Sequence, residues 1–320
     1  MQDSFGRKID YARISITDRC NLRCVYCVTD DARRNSSPAM DFETIVRLCK
    51  VLANLGVRKF KITGGEPTLR PDVVELIGTL KSVPGIDNVT LTTNGLRLAG
   101  LAGPLAEAGL DSVNVSLDSL DPALYRKLSG ENGLEAALEG LRAASSAGIP
   151  SVKVNCVPLA ETPADDLLAL AGLARDAEIH VRFIELMPIG PGASLDAPLT
   201  PDALFRLLTK NFGTLEPAGL ARGNGPAVYY GVPGFRGLLG FISALGSCFC
   251  EKCNRIRVTS DGCLKTCLHL DRGALLPLDD ERALAGAVLE AVKNKPRRHM
   301  FLSGAGPGEA DDRPMSRIGG

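Results

Sequence analysis

At 320 residues, with 45% apolar and 23% charged side chains, the chain is long enough for one large domain and a smaller one around a real buried core. Lysine plus arginine and aspartate plus glutamate balance at 37 each, so no global field advertises a nucleic-acid or anionic-membrane partner. Residues 1–8 lack the apolar core of a secretion signal, and the longest near-apolar stretch, 237–250, is too short and too rich in Gly and Ser to span a bilayer, so the expected compartment is the cytosol.

Strand-like segments at residues 12–17, 59–63, 88–93, 111–117, 152–157 and 180–186 alternate with amphipathic stretches at 42–55, 71–82, 98–108, 134–147 and 164–177. Gly56, Gly109 and Gly148 follow three of these stretches where helices commonly terminate, and Pro71 suits a first helical turn. The rhythm predicts βα units around a parallel sheet of six strands. A sheet covered on both faces reads as continuous apolar runs, but these strands mostly alternate. Arg13, Ser15 and Thr17 oppose Ile14 and Ile16, and Lys61 and Thr63 oppose Phe60 and Ile62. Thr90, Thr92 and Asn94 oppose Val89 and Leu91; Asn114, Ser116 and Asp118 oppose Val113, Val115 and Leu117; Lys153 and Asn155 oppose Val152 and Val154. Successive side chains on a strand point to opposite faces, so each strand has an apolar face for the helices and a polar face for the inside of a curved sheet. A closed eight-stranded barrel fills its interior with Val, Ile and Leu. An open partial barrel with a polar lumen, suited to a large polar ligand, fits better.

After Pro188-Ile189-Gly190-Pro191-Gly192 the rhythm changes. A helix is predicted at 201–211, then a Gly/Pro-rich loop, strands at 238–243 and 255–260, a turn at Asp261-Gly262 and a helix at 280–292, with irregular chain from Ser303. The expected fold is therefore α/β: a partial (βα)6 TIM-type barrel over residues 1–190, with a smaller C-terminal α+β region over 191–320.

Ten cysteines in a cytosolic chain are not a disulfide framework, because that compartment keeps thiols reduced. Six fall into two sets, Cys20/Cys24/Cys27 and Cys250/Cys253/Cys267, while Cys49, Cys156, Cys248 and Cys263 lie outside them. Cys20-x3-Cys24-x2-Cys27 directly follows the first strand. Three thiolates from one loop can hold three irons of a cubane and leave the fourth open to a small molecule. Zinc and a dithiol redox pair are the alternatives on spacing alone. The second set is again three rather than four, with the same implication and with a disulfide or a zinc site as the alternative, and spacing excludes neither Cys248 nor Cys263 as a ligand. Arg255 and Arg257 would share one face of a strand beside it, and paired guanidiniums suit phosphate oxygens. There is no Gly-x4-Gly-Lys-[Ser/Thr] loop.

Cys-x3-Cys-x2-Cys with Tyr26 before the last cysteine resembles the signature of the radical S-adenosylmethionine superfamily, and Gly64-Gly65-Glu66-Pro67 resembles its glycine-rich motif for the methionine amino group. Across nearly the whole chain the pattern is similar to one family, GTP 3′,8-cyclase (molybdenum cofactor biosynthesis protein A). Arg13 to Cys20, Ile62 to Pro67, Leu91 to Gly95, Asn114 to Asp118, Arg182 to Met187, Phe249 to Arg257 and the terminal Gly319-Gly320 carry that likeness. The resemblance implies that Cys20, Cys24 and Cys27 hold one [4Fe-4S] cluster and Cys250, Cys253 and Cys267 a second, whose open iron faces the guanine. It implies that Tyr26, Gly65, Ser116 and Met187 contact S-adenosylmethionine, and that Arg13, Lys61, Thr92, Lys153, Arg255, Ile256 and Arg257 bind GTP, Arg255 and Arg257 together with the first three cysteines being the catalytic set. The implied reaction abstracts the C3′ hydrogen of GTP with a 5′-deoxyadenosyl radical and joins C3′ to C8, giving 3′,8-cyclo-7,8-dihydro-GTP. Implied partners are an electron donor such as flavodoxin or ferredoxin and the cyclic pyranopterin monophosphate synthase that takes the product. The resemblance admits a homodimer and implies neither a membrane nor a nucleic-acid partner. The diglycine, lacking side chains, could thread into a crowded site.

Three departures stand out. Val28-Thr29 replaces the family's usual Met-Pro, the loop from Asp30 to Met40 is short, and Lys61 stands where Arg is common, keeping the charge but losing the bidentate fork. Two rivals follow: a paralogous radical enzyme with an auxiliary cluster and another substrate, such as a peptide, and a non-enzymatic zinc or redox-sensing protein. His180, His269 and His299 are expected to be surface or core residues without a role.

Overall fold

The computed structural model describes residues 1–27, 38–196, 199–219, 224–245, 249–269, 273–299 and 315–318. The departures at 28–37, Cys248 and the Gly319-Gly320 end lie outside them.

Six parallel strands form as the alternation predicts: β1 (Tyr11–Ser15), β2 (Lys59–Thr63), β3 (Asn88–Thr93), β4 (Ser112–Ser116), β5 (Val152–Cys156) and β6 (Ile179–Ile184). They lie side by side in chain order. Between them run α1 (Phe42–Asn54), α2 (Val73–Ser82), α3 (Leu98–Glu107), α4 (Pro122–Ser129), α5 (Leu134–Ser146) and α6 (Ala164–Asp176). Asp41 caps α1 by accepting from Thr44 N, and left-handed Gly56, Gly109 and Gly148 stand just past three helix ends. Pro71 falls two residues before α2, whose cap position is Asp72. Phe60, Ile62, Val89, Leu91, Val113, Val115 and Val154 are fully buried against the helices, so the apolar faces point outward from the lumen into the main core.

The sheet is wider than six strands. After α7 (Pro201–Phe212) the chain adds β7 (Glu216–Pro217), β8 (Val228–Gly231) and β9 (Leu239–Ile242); β10 (Arg255–Val258), β11 (Cys263–Lys265) and β12 (Ala274–Leu275) follow, and then α8 (Glu281–Lys293). β9 pairs parallel to β6 and β10 pairs parallel to β1, so the C-terminal region clasps both edges of the six-stranded unit. The complete order, β12-β11-β10-β1-β2-β3-β4-β5-β6-β9-β8-β7, has eight parallel strands flanked by antiparallel ribbons and remains open. Four-residue strands joined to hairpin partners, with no helix after them, carry no βα rhythm, which is why the sequence predicts only six.

That clasp sets a register across the lumen. Arg257, Arg13 and Lys61 are direct neighbours on β10, β1 and β2, with Lys265 beside Arg257 on β11. On the other side Thr92, Asn114 and Lys153 are neighbours on β3, β4 and β5.

Candidate active site

Two adjoining cavities occupy the lumen. The upper, of ≈ 300 Å³, lies at the C-terminal ends of the parallel strands, and both cysteine sets line it: Cys20, Cys24 and Cys27 together with Cys250, Cys253 and Cys267. The lower, of ≈ 320 Å³, is lined by Lys61, Lys153 and Arg182 among others, and Arg13, Thr92 and Arg255 border both. The lower cavity is polar, as the alternation predicts. The upper is mixed, because Leu128, Met187, Ala244 and Phe249 enter from segments beyond the strands.

The first cysteine set is held by its neighbours in the chain and in space. Arg23 N donates to Ser129 O at 2.7 Å and Val25 N to Leu128 O at 3.0 Å, docking the loop on the end of α4. On its other side the glycine-rich turn makes backbone contact. Gly65 N donates to Thr17 O and Glu66 N to Arg19 O, both at 2.7 Å, and a Cβ at Gly65 would lie 2.3 Å from Arg19 O. Glu66 is fully buried; its carboxylate accepts from Thr68 N, Thr68 Oγ1, Thr93 Oγ1 and Asn94 N, stapling the turn to the end of β3. Tyr26 Oη donates to Asp118 at 2.7 Å, and Val157 N donates to the other Asp118 oxygen at 2.8 Å. Burial pushes the Asp118 carboxyl up to about 6, with those two donors holding it back. Cys24 is raised well above the usual thiol range, first by burial and then by the neighbouring Cys27, Asp118 and Cys20.

Such mutual repulsion disfavours three bare thiolates and is relieved by a positively charged metal core, so this donor set fits a cluster. Among the described residues no three His, Cys, Asp or Glu groups converge on one point that a single ion could occupy.

The second set sits in the opposite electrostatic setting. Burial raises the Cys253 thiol, but Lys295 and Arg255 outweigh it, and the net shift is downward. Arg255 stacks its guanidinium over Phe249 at 4.8 Å. Arg257 is pushed well below the ordinary arginine range by burial and by Arg13 and Arg255. Lys61 is likewise driven well down, by burial first and then by Arg182, Arg13, Lys153 and Arg255. Four basic side chains acting on one buried ammonium make a site suited to a polyanion. The buried Thr92 Oγ1 and Asn155 Oδ1 have no hydrogen-bond partner among the described residues, and both residues border the cavities. That suits an absent polar ligand.

Of the residues predicted from sequence, Tyr26, Gly65, Ser116 and Met187 line the upper cavity with the first cysteines, while Lys61 and Lys153 lie in the lower one. Ile256 is fully buried with its side chain in the core, so only its main chain can face a ligand. Cys263 lies on β11 away from the upper cavity's lining, and Cys49 and Cys156 are buried in the core. His269, which is buried, and His299 line the upper cavity, and His180 of β6 lines the lower. Arg182 went unpredicted. It lies on β6 with a guanidinium nitrogen donating to Asn114 and belongs to the cation group. Lys265, 1% exposed and in register with Arg257, also went unpredicted, as did α9 (Met315–Ile318), which places Met315 in the upper cavity and buries Ile318. No described helix is long and apolar enough to cross a membrane.

Comparison with known proteins fits this geometry. Residues 14–174 match the family model of the radical SAM superfamily, and residues 179–301 match that of Molybdenum Cofactor Synthesis C. The GTP 3′,8-cyclase of Pelotomaculum thermopropionicum is 41% identical over 329 residues, and that of Moorella thermoacetica 40% over 327, each covering 100% of both chains. Among solved structures, Streptococcus suis SuiB bound to S-adenosylmethionine aligns with a TM-score of 0.64 at 16% identity, covering 88% of this chain and 68% of that one; this likeness concerns the fold. By these matches the chain belongs to the radical SAM superfamily and, within it, to the GTP 3′,8-cyclase family.

Proposed function

We propose that this chain is a GTP 3′,8-cyclase, converting GTP to 3′,8-cyclo-7,8-dihydro-GTP in the first step of molybdenum cofactor biosynthesis. One observation carries the proposal above the rest: both three-cysteine sets line one cavity, and that cavity adjoins a chamber of buried cations. A radical enzyme acting on a neutral substrate has no use for the second feature, and a zinc or redox-sensing protein has no use for either.

Cys20, Cys24 and Cys27 would hold the first [4Fe-4S] cluster and Cys250, Cys253 and Cys267 the second. The chemistry supplied by the first, with S-adenosylmethionine, is the reductive cleavage that yields the hydrogen-abstracting radical. The protein's own part is placement. Tyr26, Gly65, Ser116 and Met187 surround the position for S-adenosylmethionine. Arg13, Lys61, Thr92, Lys153, Arg255 and Arg257, joined by Arg182, would bind the nucleotide, triphosphate toward the lower cavity. That orientation turns the ribose and base up toward both cysteine sets. Pinning the triphosphate fixes C3′ against the attacking radical and C8 against C3′, converting a diffusive encounter into an intramolecular one. The apolar residues at the upper rim would exclude water from a reactive intermediate.

The division at about residue 190 is proposed as a functional one, the N-terminal part serving S-adenosylmethionine and the C-terminal part completing the nucleotide site. Two open-iron sets require reduced thiols and a one-electron donor such as flavodoxin or ferredoxin, which favours the cytosol. The product would pass to the cyclic pyranopterin monophosphate synthase.

The test is anaerobic incubation of reconstituted protein with GTP, S-adenosylmethionine and dithionite. The cyclised nucleotide should appear in step with 5′-deoxyadenosine. If 5′-deoxyadenosine forms while GTP is left unconverted, the cyclase assignment is wrong and a paralogue with another substrate takes its place.

A further inference from the structure

Behind the second cysteine set stands a buried ammonium. Lys295 lies two residues past α8 and is 3% exposed. Its Nζ donates to the Arg255 carbonyl at 3.0 Å and to the Thr266 carbonyl. It also hydrogen-bonds the Cys253 side chain and interacts electrostatically with Cys267. The two carbonyls belong to separate segments: one starts β10 beside Cys253, and the other immediately precedes Cys267. Lys295 therefore bridges, from outside the cavity, the two segments that bring these cysteines to its wall.

Cys250 is referenced to the same place. Arg7, buried and paired with Asp3, donates from Nη1 to the Cys250 carbonyl at 2.8 Å and to the Arg297 carbonyl at 3.0 Å, and from Nη2 to the Pro296 carbonyl at 2.7 Å. The segments carrying all three cysteines of the second set are thus tied to residues 295–297, those of Cys253 and Cys267 through the Lys295 side chain and that of Cys250 through its carbonyl and Arg7.

We propose that Lys295 is a positioning and charge-balancing residue for the second cluster, fixing the spacing of Cys253 and Cys267 and biasing that cluster toward its reduced state. The inference rests on the reading of Cys250, Cys253 and Cys267 as a cluster site. Burying an ammonium costs several kcal/mol unless anionic groups compensate it. Two carbonyls supply only dipoles, whereas three thiolates around an iron–sulfur core carry net negative charge. One-electron reduction adds a further negative charge beside the ammonium, so the ammonium stabilises the reduced form more than the oxidised. The first set has the reverse environment, with the Tyr26–Asp118 pair behind Cys24.

The experiment uses the full chain with Cys20, Cys24 and Cys27 all replaced by Ala, so that only the second cluster is present. This background is combined with Lys295→Gln, which keeps a donor and loses the charge, or with Lys295→Arg, which keeps the charge. Lys295→Met is a second neutral variant should the amide not pack, and far-UV circular dichroism confirms the fold of each. Iron and sulfide are counted after anaerobic reconstitution, and the cluster is titrated with a graded reductant under electron paramagnetic resonance. In the neutral variants the ratio of reduced to oxidised cluster at fixed potential should fall at least about tenfold, a midpoint lower by about 59 mV for one electron. Iron should also leave faster to a chelator. Lys295→Arg should return the ratio to within about threefold of the lysine protein. A change below about twofold in a neutral variant with full iron overturns the inference, and so does an Arg variant that behaves like Gln. If the lysine-bearing background holds no iron and sulfide at all, it is the cluster reading itself that fails.

Discussion

Replacing Gly65 with alanine should damage the enzyme at the junction between its glycine-rich turn and its first cysteine loop. An added Cβ would lie 2.3 Å from Arg19 O, 2.6 Å from Arg19 C and 2.6 Å from Asp18 O. All three are backbone atoms, so no side chain can swing aside. Restoring ordinary contact requires the two segments to part by about 1 Å. They are joined there by Gly65 N to Thr17 O and Glu66 N to Arg19 O at 2.7 Å each, bonds that such a separation would stretch beyond useful length. Overpacking costs about 1–3 kcal/mol and each lost bond about 1 kcal/mol, so the total is about 3–5 kcal/mol. For a chain of this size that corresponds to a fall in Tm of roughly 10 °C. Because Cys20 directly follows Arg19, iron incorporation should fall as well. Calorimetry of the apoprotein, with iron analysis after reconstitution, reads both effects. Gly100→Ala is the control. It lies exposed in α3, nothing is within 4 Å of its added Cβ, and it should stabilise by about 0.5–1 kcal/mol. Gly65→Ala protein that melts within about 2 °C of the parent with full iron would refute the close-approach reasoning.

Three further outcomes follow from the site. The fold raises the Asp118 carboxyl from 3.8 to about 6, so it favours the protonated form; this contribution to stability is full below the lower value and lost as pH rises through the upper. Apoprotein should therefore lose roughly 3 kcal/mol over that window relative to Asp118→Asn, measured by urea denaturation at several pH values. Lys61→Met relieves like-charge crowding and should raise the apoprotein's Tm, yet it should weaken the Tm increase given by GTP, which at a hundredfold excess over Kd amounts to about 2.7 kcal/mol for a fully competent site. A Lys61→Met protein with unchanged GTP stabilisation would remove Lys61 from the nucleotide site. Glu66→Ala leaves the buried donors of Thr68, Thr93 and Asn94 without their acceptor and should cost about 3 kcal/mol or more in the denaturant midpoint; a loss under about 1 kcal/mol would mean that water replaces the carboxylate.

The six-stranded unit and its lumen were legible because each strand carries two unlike faces, and a period of two survives without any knowledge of partners. The places of β9 and β10 were not. A four-residue strand such as Leu239–Ile242 says that it pairs, but which edge it joins is decided by contacts far away in the chain. Helix α4 was missed although its signals were present: Asp121 accepts from Leu124 N as the cap, Pro122 occupies the first turn, and Gly130 ends it in the left-handed conformation. Arg182, Lys265 and Lys295 had no local signature, since an isolated cation on a strand or after a helix is most often solvated. What gives them meaning is register with Arg257, a side-chain hydrogen bond to Asn114, or convergence on carbonyls of other segments. Alternation put Asp118 on the polar side of the fourth strand, but its partner was not legible, because its bond to Tyr26 spans 92 residues.

The two-edged clasp also has a consequence for the order in which the protein comes into being. Tyr11 of the first strand pairs with Arg255, a partner synthesised 244 residues later. At about 5–20 residues per second the nascent βα units would wait roughly ten seconds to a minute with the first strand's outer edge bare. During that interval the first cysteine loop already exists and the chamber above it does not. A ribosome-bound intermediate could thus acquire iron on its first thiols before it can enclose a nucleotide, and its open edges would invite pairing with other chains. Synthesis of β10 covers the first strand's bare edge and brings Cys250 and Cys253 to the wall of the chamber at nearly the same moment.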